Sequence, residues 1–516
     1  MPILNWIGKD KVINHHQQVP YRVLEPQYTY GQADSGNMLI HGDNLDALKA
    51  LLPRYEGRIK LIYIDPPYNT GNESWVYNDN VNDPKIRKWL GEVVGKEGED
   101  LSRHDKWLCM MYPRLKLLQR LLADDGAIFI SIDDNEQANL KLICDEVFGA
   151  NNSIATIIWQ KRTSPEARKK ISMAHDYIVV YTKYLSLFEE SVNLLEISEQ
   201  NLSKYKNPDN DPRGHWVSTD FTAQGWRPNQ MYEIVTPSGK VVKPPNGRCW
   251  KNLESVYKQM LDEGRMWFGV NGNGVPRQKT YLDERTGQRI WSLWLNTEVG
   301  HSQEGTQELS KVLGEKAQFD YPKPSRLIQR IIQIASFPDS IILDSFAGSG
   351  TTAHAVLNMN KRDGGNRRFI LVEMEDYAES ITAERVKRVI DGYGTTDGTG
   401  GGFAYYELGD RLLLEDGNLN EDMPVEKIRE YVWYTETRAE YAPQEEEYLL
   451  GVRANTAYYF YYEKERVTVL DRSFLRGVKT KAGGYLIYAD INTLSADEMD
   501  TANIRFKKIP RDITRL

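Results

Sequence analysis

The chain has 516 residues, 40% hydrophobic and 27% charged, with a formal net charge of −8. This composition excludes collagen-like, disordered and membrane-embedded classes and allows two to four globular domains. An acidic balance also excludes polyanion binding through net charge, so any nucleic-acid contact needs a locally basic groove. Cys109, Cys144 and Cys249 are far apart and form no C-x-x-C pair. That argues against a disulfide framework or a cysteine zinc site and fits a reducing cytoplasm. Lys9, Asp10 and Lys11 interrupt the N-terminus before an apolar core forms, so no secretory signal or membrane span is expected.

Residues 1–36 show no long periodic run and read as an N-terminal arm. Met38 to Asp43 reads as a strand ending in Gly-Asp, and Asn44 reads as the cap of an amphipathic helix from Leu45 to Leu52. Leu61-Ile62-Tyr63-Ile64 then forms a short apolar run suited to a central parallel strand. Asp65-Pro66-Pro67-Tyr68 ends it. Two successive prolines stop the ladder, because neither donates an N–H and each fixes φ. The result is a stiff lip carrying one carboxylate, one aromatic ring and unpaired carbonyls at a strand's carboxyl end, where open α/β sheets place ligands. Asp65 and the Pro66 carbonyl can accept hydrogen bonds from an exocyclic nucleobase amine, and Tyr68 can stack on the base.

Residues 72–100 read as a polar surface loop. Apolar spacing from His104 to Ala123 gives a helix that Pro113 should kink or restart. Ala127 to Ile132 is the next strand. Asp133 and Asp134 follow it; a pair of acids can suggest a metal, but their position before a helix favours capping. A helix then runs to Phe148. Strands at Ile154–Trp159 and His175–Tyr181 flank a loop with Lys161, Arg162, Arg168, Lys169 and Lys170, read either as a solvated face or as a phosphate grip. From about 185 to 315 the α/β rhythm gives way to Pro, Gly, Trp and Arg, with a hairpin signal at Pro237-Ser238-Gly239. This is an inserted β-rich module, with Arg213, Lys243, Arg277 and Lys279 as candidate base contacts.

Tyr321-Pro322-Lys323-Pro324 opens an amphipathic helix. Ile341 to Asp344 is a buried strand, followed by the glycine-rich turn Ser345-Phe346-Ala347-Gly348-Ser349-Gly350-Thr351-Thr352 and a helix. Such a turn lets backbone approach a ligand closely and presents a helix N-terminus to a negative group. Arg368 to Glu373 is the next strand; its terminal acid can accept from ribose hydroxyls. Residues 392–402 have a flexible-linker composition. Residues 403–516 carry helix and strand signals of their own.

Asp65-Pro66-Pro67-Tyr68 together with Phe346-Ala347-Gly348-Ser349-Gly350 resembles the paired motifs of DNA amino-methyltransferases. The catalytic motif precedes the cofactor motif, which is the order of the β class, and the chain is most similar to modification subunits of type III restriction–modification systems. The resemblance implies an α/β fold: a doubly wound, mostly parallel, Rossmann-like sheet with an inserted recognition domain and a small C-terminal α/β domain. It implies the arm at 1–36, a catalytic half at 37–184, a target-recognition domain at 185–315, a cofactor-binding half at 316–391, the linker at 392–402, and a dimerisation or partner-docking domain at 403–516. It implies methyl transfer from S-adenosylmethionine, with no metal required, to N6 of a flipped-out adenine. Asp65, Pro66, Pro67 and Tyr68 would be catalytic. Asp43, Lys323, Pro324, Asp344, Phe346, Gly348, Gly350 and Glu373 would hold the cofactor. Implied partners are double-stranded DNA, a second copy of the chain, and an ATP-dependent restriction subunit, since the sequence has no G-x-x-x-x-G-K-[ST] loop. The alternatives are cytosine N4 methylation, or a DNA-binding specificity subunit with weak catalysis; Asp rather than Ser at the first motif position favours adenine.

Overall fold

The computed structural model describes residues 4–70, 88, 92, 102–167, 169–284, 287–314, 319–414 and 416–511. Apart from Lys88 and Glu92, the loop expected at 72–100 lies outside the described residues beyond position 71, as does Arg168 of the basic loop. The chain divides into two compact units, residues 1–193 with 292–516, and residues 194–291.

The strands of the main sheet are β1 (Arg22–Gly31), β2 (Met38–His41), β3 (Ile59–Ile64), β4 (Leu122–Ile132), β5 (Ser153–Gln160), β6 (His175–Thr182), β7 (Leu293–Trp294), β8 (Ile341–Asp344), β9 (Arg368–Glu373) and β10 (Gly402–Arg411). They run in the order β1-β10-β2-β9-β8-β3-β4-β6-β5-β7. The stretch from β10 to β4 is parallel throughout. β6 runs antiparallel to β4 and to β5, and β1 antiparallel to β10.

Every residue of β3 and β8 is buried, as both-face coverage of a parallel sheet demands. Side chains alternate between faces. Ile62, Ile64, Leu343, Ile370 and Val372 share one core with Leu48, Leu51, Leu115 and Leu118. Those leucines come from α1 (Asn44–Tyr55) and α2 (Arg103–Leu121). The opposite face is covered by α5 (Ser325–Ala335) and α6 (Thr351–Asp363). α5 buries Leu327, Ile328, Ile331, Ile332 and Ala335, the apolar stripe visible in its sequence. α3 (Gln137–Cys144) packs on α2, while α4 (Ser302–Leu313) and, after β9, α7 (Glu384–Asp391) pack on each other, with α7 also against α6. α2 begins at a Ser102–Asp105 capping box and continues as one helix through Pro113.

The chain leaves β8 towards β9 on one side of the sheet and leaves β3 towards β4 on the other. β3 and β8 are neighbours, so their carboxyl ends flank the crevice where the strand order reverses.

The structure draws several boundaries differently from the sequence. Part of the 1–36 arm is β1, an edge strand of the main sheet. The inserted unit covers 194–291 rather than 185–315. Residues 392–402 do not form a free linker: Gly392–Tyr393 and Thr396–Asp397 pair as a hairpin, and Gly402 already belongs to β10. The tail is therefore tied into the main body. Its helix Val425–Thr437 places Glu430 on Arg54 of α1 at 2.5 Å, and a four-stranded sheet follows, with Leu449–Arg453, Thr456–Phe460, Gly484–Ala489 and Ile504–Lys508. Composition alone could not show this, because a glycine-rich run serves a hairpin as well as a linker. No helix among the described residues is long and apolar enough to cross a membrane.

The inserted unit has its own core of Phe221, Ile234, Trp250, Tyr257, Met260 and Phe268. Two of its candidate base contacts are structural instead. Lys279 is buried and bonded to Asp211 at 2.7 Å. Arg213 pairs with the same Asp211 at 2.9 Å and lies over the Tyr281 ring. Lys243 is exposed in an ion pair with Glu233, and exposed Arg277 donates to Ser218.

Candidate active site

The lip after β3 is held by α2. Trp107 donates its indole N–H to the Pro67 carbonyl at 2.7 Å. Asn69 is fully buried at φ 58°, a left-handed conformation that Asn accepts more readily than most residues. Its amide donates to the Arg103 carbonyl at 3.1 Å and to Glu136. Buried Glu136 also takes His104 and Asn139, each at 2.7 Å. The two prolines stiffen the lip locally, and this anchor fixes where it points. Asp65 is half-buried, and Lys323 donates to its Oδ2 at 2.5 Å. The Lys323 ammonium also stands 5.0 Å from the centre of the Tyr68 ring. Burial, with the Asp65 charge second, pushes the Tyr68 phenol well above its ordinary value.

The glycine turn after β8 starts at Asp344, whose buried carboxylate accepts from Thr352 at 2.5 Å and from the Phe346 N–H at 3.1 Å. Burial nonetheless raises it to about 7. Gly348 and Gly350 sit at φ 52° and 78°. A Cβ on Gly350 would come within 3.1 Å of the Thr382 carbonyl, so the turn needs glycine there for space as well as for conformation. The Gly348 N–H donates to Glu373 at 2.7 Å and the Glu375 N–H donates to the same carboxylate at 3.0 Å. Burial raises Glu373 to about 7 against those two bonds.

Lip and turn open into one cavity of about 790 Å³. Asp65, Pro66, Pro67, Tyr68, Lys323, Asp344, Phe346, Gly348 and Glu373 line it. Three expected site residues do not. Asp43 caps α1, accepting from the Leu45 N–H at 2.8 Å. Pro324 caps α5, and Gly350 caps α6. These three shape the frame rather than the wall.

Sequence reading missed other wall residues. Asp176, at the start of β6, is buried, raised by that burial, and bonded to Lys161 at 2.5 Å. Lys161 is thus engaged with an acid, and so are Arg162 and Lys169, which pair with Glu166 at 3.4 and 3.1 Å. An acid inside His-Asp-Tyr-Ile-Val-Val-Tyr was the readable signal. Phe319 and Tyr377 meet edge to face at 5.5 Å on the wall beside Gly348; nothing in their local sequence announced this. Asn44 reaches the Ser345 carbonyl at 3.0 Å and takes Arg114 at 2.5 Å. Buried Arg385 of α7 donates to Ser349 and Thr351 at 2.9 and 2.8 Å and to Glu308 of α4 at 3.1 Å. Glu308 accepts the Ser325 N–H at 3.0 Å, so one buried network braces the turn against the segment carrying Lys323. Asp133 accepts from Asn135 in a local turn, and no cluster of potential metal ligands occurs among the described residues.

Chemically, the cavity offers two aromatic surfaces, two buried acids beside backbone donors, and one acid–amine pair at the lip. The family described as DNA methylase matches residues 59–384. The chain is 35% identical over 420 residues to the type III restriction-modification enzyme StyLTI Mod subunit of Salmonella typhimurium, covering 76% of this chain and 61% of that protein. It is 34% identical to the EcoPI Mod subunit of Escherichia phage P1, covering 72% and 63%. It is 33% identical to the type II methyltransferase M.KpnI of Klebsiella pneumoniae, covering 64% of this chain and 79% of that protein. The chain thus spans less than two thirds of the length of these type III relatives.

Proposed function

This chain belongs to the DNA methylase family, and from that premise we propose that it transfers a methyl group from S-adenosylmethionine to the N6 amine of adenine in duplex DNA. One observation carries the reading: lip and glycine turn, 281 positions apart (346 − 65), end adjacent parallel strands and line the same cavity.

The residues present fit such a cofactor. Glu373 and Asp344 are buried acids on the wall, suited to hydroxyl and amine donors, and Gly348 brings backbone close. Phe346, Phe319 and Tyr377 supply apolar surface for a purine. When bound, the cofactor supplies an electrophilic methyl on a sulfonium.

The chain's own part is to capture and orient the base. An amine in a stacked duplex cannot reach a recessed methyl donor, so the target base leaves the helix at a cost of a few kcal/mol. Stacking on Tyr68 offsets ~1–3 kcal/mol of that. Asp65 and the Pro66 carbonyl accept the two amine hydrogens, which directs the nitrogen lone pair away from them. Much of the rate then comes from holding that geometry. The rigidity of the lip, held by Trp107 and Asn69, is what makes the orientation reproducible. Asp at position 65 favours adenine over cytosine.

The type III relatives extend the proposal to a modification subunit. Its DNA-cleaving, ATP-driven partner would be a separate chain, and it would pair with a second copy of itself. The inserted unit would read sequence.

Tritiated methyl transfer from S-adenosylmethionine to duplex DNA, followed by sequencing of the modified base, tests the enzyme reading. Asp65→Ala should abolish transfer and Tyr68→Ala should lower it at least tenfold. Near-normal turnover in Asp65→Ala, or label on cytosine, would refute the assignment as stated.

A further inference from the structure

The position that the target amine must occupy is held by a side chain of the protein itself. A base stacked on Tyr68 places its ring against that phenol and its amine within about 2.8 Å of Asp65. Lys323 already fulfils both conditions. Its ammonium is 2.5 Å from Asp65 Oδ2 and 5.0 Å from the Tyr68 ring centre. It is a charge-assisted bond on a side chain only 10% exposed, among the stronger kinds of hydrogen bond. Asp65 Oδ1 has no hydrogen-bond partner among the described residues and can take a second donor, but a base stacked on Tyr68 needs the ring face over which the ammonium stands, so base capture requires Lys323 to move.

The same residue is fastened to the other half of the site. Its carbonyl accepts from Thr351 of the glycine turn at 3.3 Å. The next two residues, Pro324 and Ser325, start α5, and Ser325 is held by Glu308, which Arg385 ties back to Ser349 and Thr351. The backbone of Lys323 is therefore fixed to the turn while its long, rotatable side chain reaches the lip. The ammonium can swing between a carboxylate on the lip and an anion at the turn without any movement of the frame.

Resting on the methyl-transfer reading, we infer that Lys323 occupies the amine position of Asp65 and yields it to the carboxylate of the cofactor, so that cofactor loading opens the site to the target base. The arrangement would discourage capture of a base before a methyl donor is present. It also gives Lys323 a function beyond the cofactor contact that the sequence suggested. It is a positioning residue that acts through Asp65.

The coupling is reciprocal, so it can be measured without DNA. S-adenosylhomocysteine, which keeps the carboxylate, is titrated calorimetrically into four proteins: wild type, Asp65→Asn, Lys323→Met and the double variant. Asp65→Asn should bind it about tenfold more tightly than wild type, because Lys323 no longer has a carboxylate to leave. Lys323→Met should bind more weakly, and on that background Asp65→Asn should change nothing. Equal affinity of Asp65→Asn and wild type overturns the inference. So does tightening that persists in the double variant, which would mean simple relief of charge repulsion. A second measurement uses duplex DNA with 2-aminopurine at the target position. Wild type and Lys323→Arg should show the fluorescence rise of an unstacked base only with S-adenosylhomocysteine. Lys323→Met should show at least a fivefold larger share of that rise without it. Retained cofactor dependence in Lys323→Met overturns the inference. Failure of wild type to bind S-adenosylhomocysteine at all would instead remove the methyl-transfer reading on which it rests.

Discussion

Glu373 provides a quantitative test of the cofactor wall. It is 5% exposed, and burial raises its carboxyl from 4.5 to about 7. The perturbation is Glu373→Gln, which keeps the shape and one acceptor and removes the titration. The folded value lies above the unfolded one, so the folded state binds this proton more tightly. The resulting stabilisation is fully present below about pH 4.5 and is lost as pH rises through about 7. At about 1.4 kcal/mol per pH unit the ceiling is roughly 3 kcal/mol. Denaturant unfolding should therefore show Glu373→Gln gaining on wild type as pH rises from 5 to 8, by up to that amount.

Cofactor affinity should move the other way. Only the carboxylate accepts a diol through both oxygens. With a value near 7 it is about one-tenth ionised at pH 6 and about nine-tenths at pH 8. Wild type should bind S-adenosylhomocysteine about tenfold more tightly at pH 8 than at pH 6. Asp344 is also raised to about 7, so the diagnostic quantity is the difference between wild type and Glu373→Gln, read by calorimetry across that range. A flat difference curve would show that Glu373 does not ionise to meet the ligand, and the assignment would fall.

Trp107→Phe removes the donor to the Pro67 carbonyl, costing ~1–3 kcal/mol; steady-state kinetics should show kcat falling more than S-adenosylhomocysteine affinity, and unchanged kcat would count against the anchored lip. Arg385→Met leaves half-buried Glu308 without its guanidinium partner and should cost up to ~3–5 kcal/mol in denaturant unfolding, with part recovered by adding Glu308→Gln. A double variant that loses the sum of the two single losses would show that the network is not coupled. Gly350→Ala should cost at least ~1–2 kcal/mol from the left-handed backbone alone, seen as a lowered Tm, with the Thr382 carbonyl adding to it; a wild-type Tm would contradict the crowding at the turn.

Much of the centre of the fold is legible in local sequence. Leu61 to Ile64 and Ile341 to Asp344 are apolar throughout because a central parallel strand is covered on both faces. The prolines at 66 and 67 and the glycines at 348 and 350 mark the strand ends because they restrict or release the backbone wherever they stand. Those signals depend on a residue and its immediate neighbours, so the chain's own order of residues is enough to read them.

What lies between distant segments is not encoded in that way. The edge strand Arg22–Gly31 exists only because Gly402–Arg411 pairs with it. Asp43, which sits where a ligand contact is expected, faces its own helix N-terminus. Asp176 acquires its raised carboxyl and its lysine only when β6 lies beside β4 and β5. Lys323 reads as one charge in a proline-rich turn until the sheet order sets β3 beside β8, across 258 positions from Asp65. Burial, electrostatic pairing and access are properties of a neighbourhood, and here the neighbourhood is assembled by long-range strand pairing that no single stretch of sequence contains.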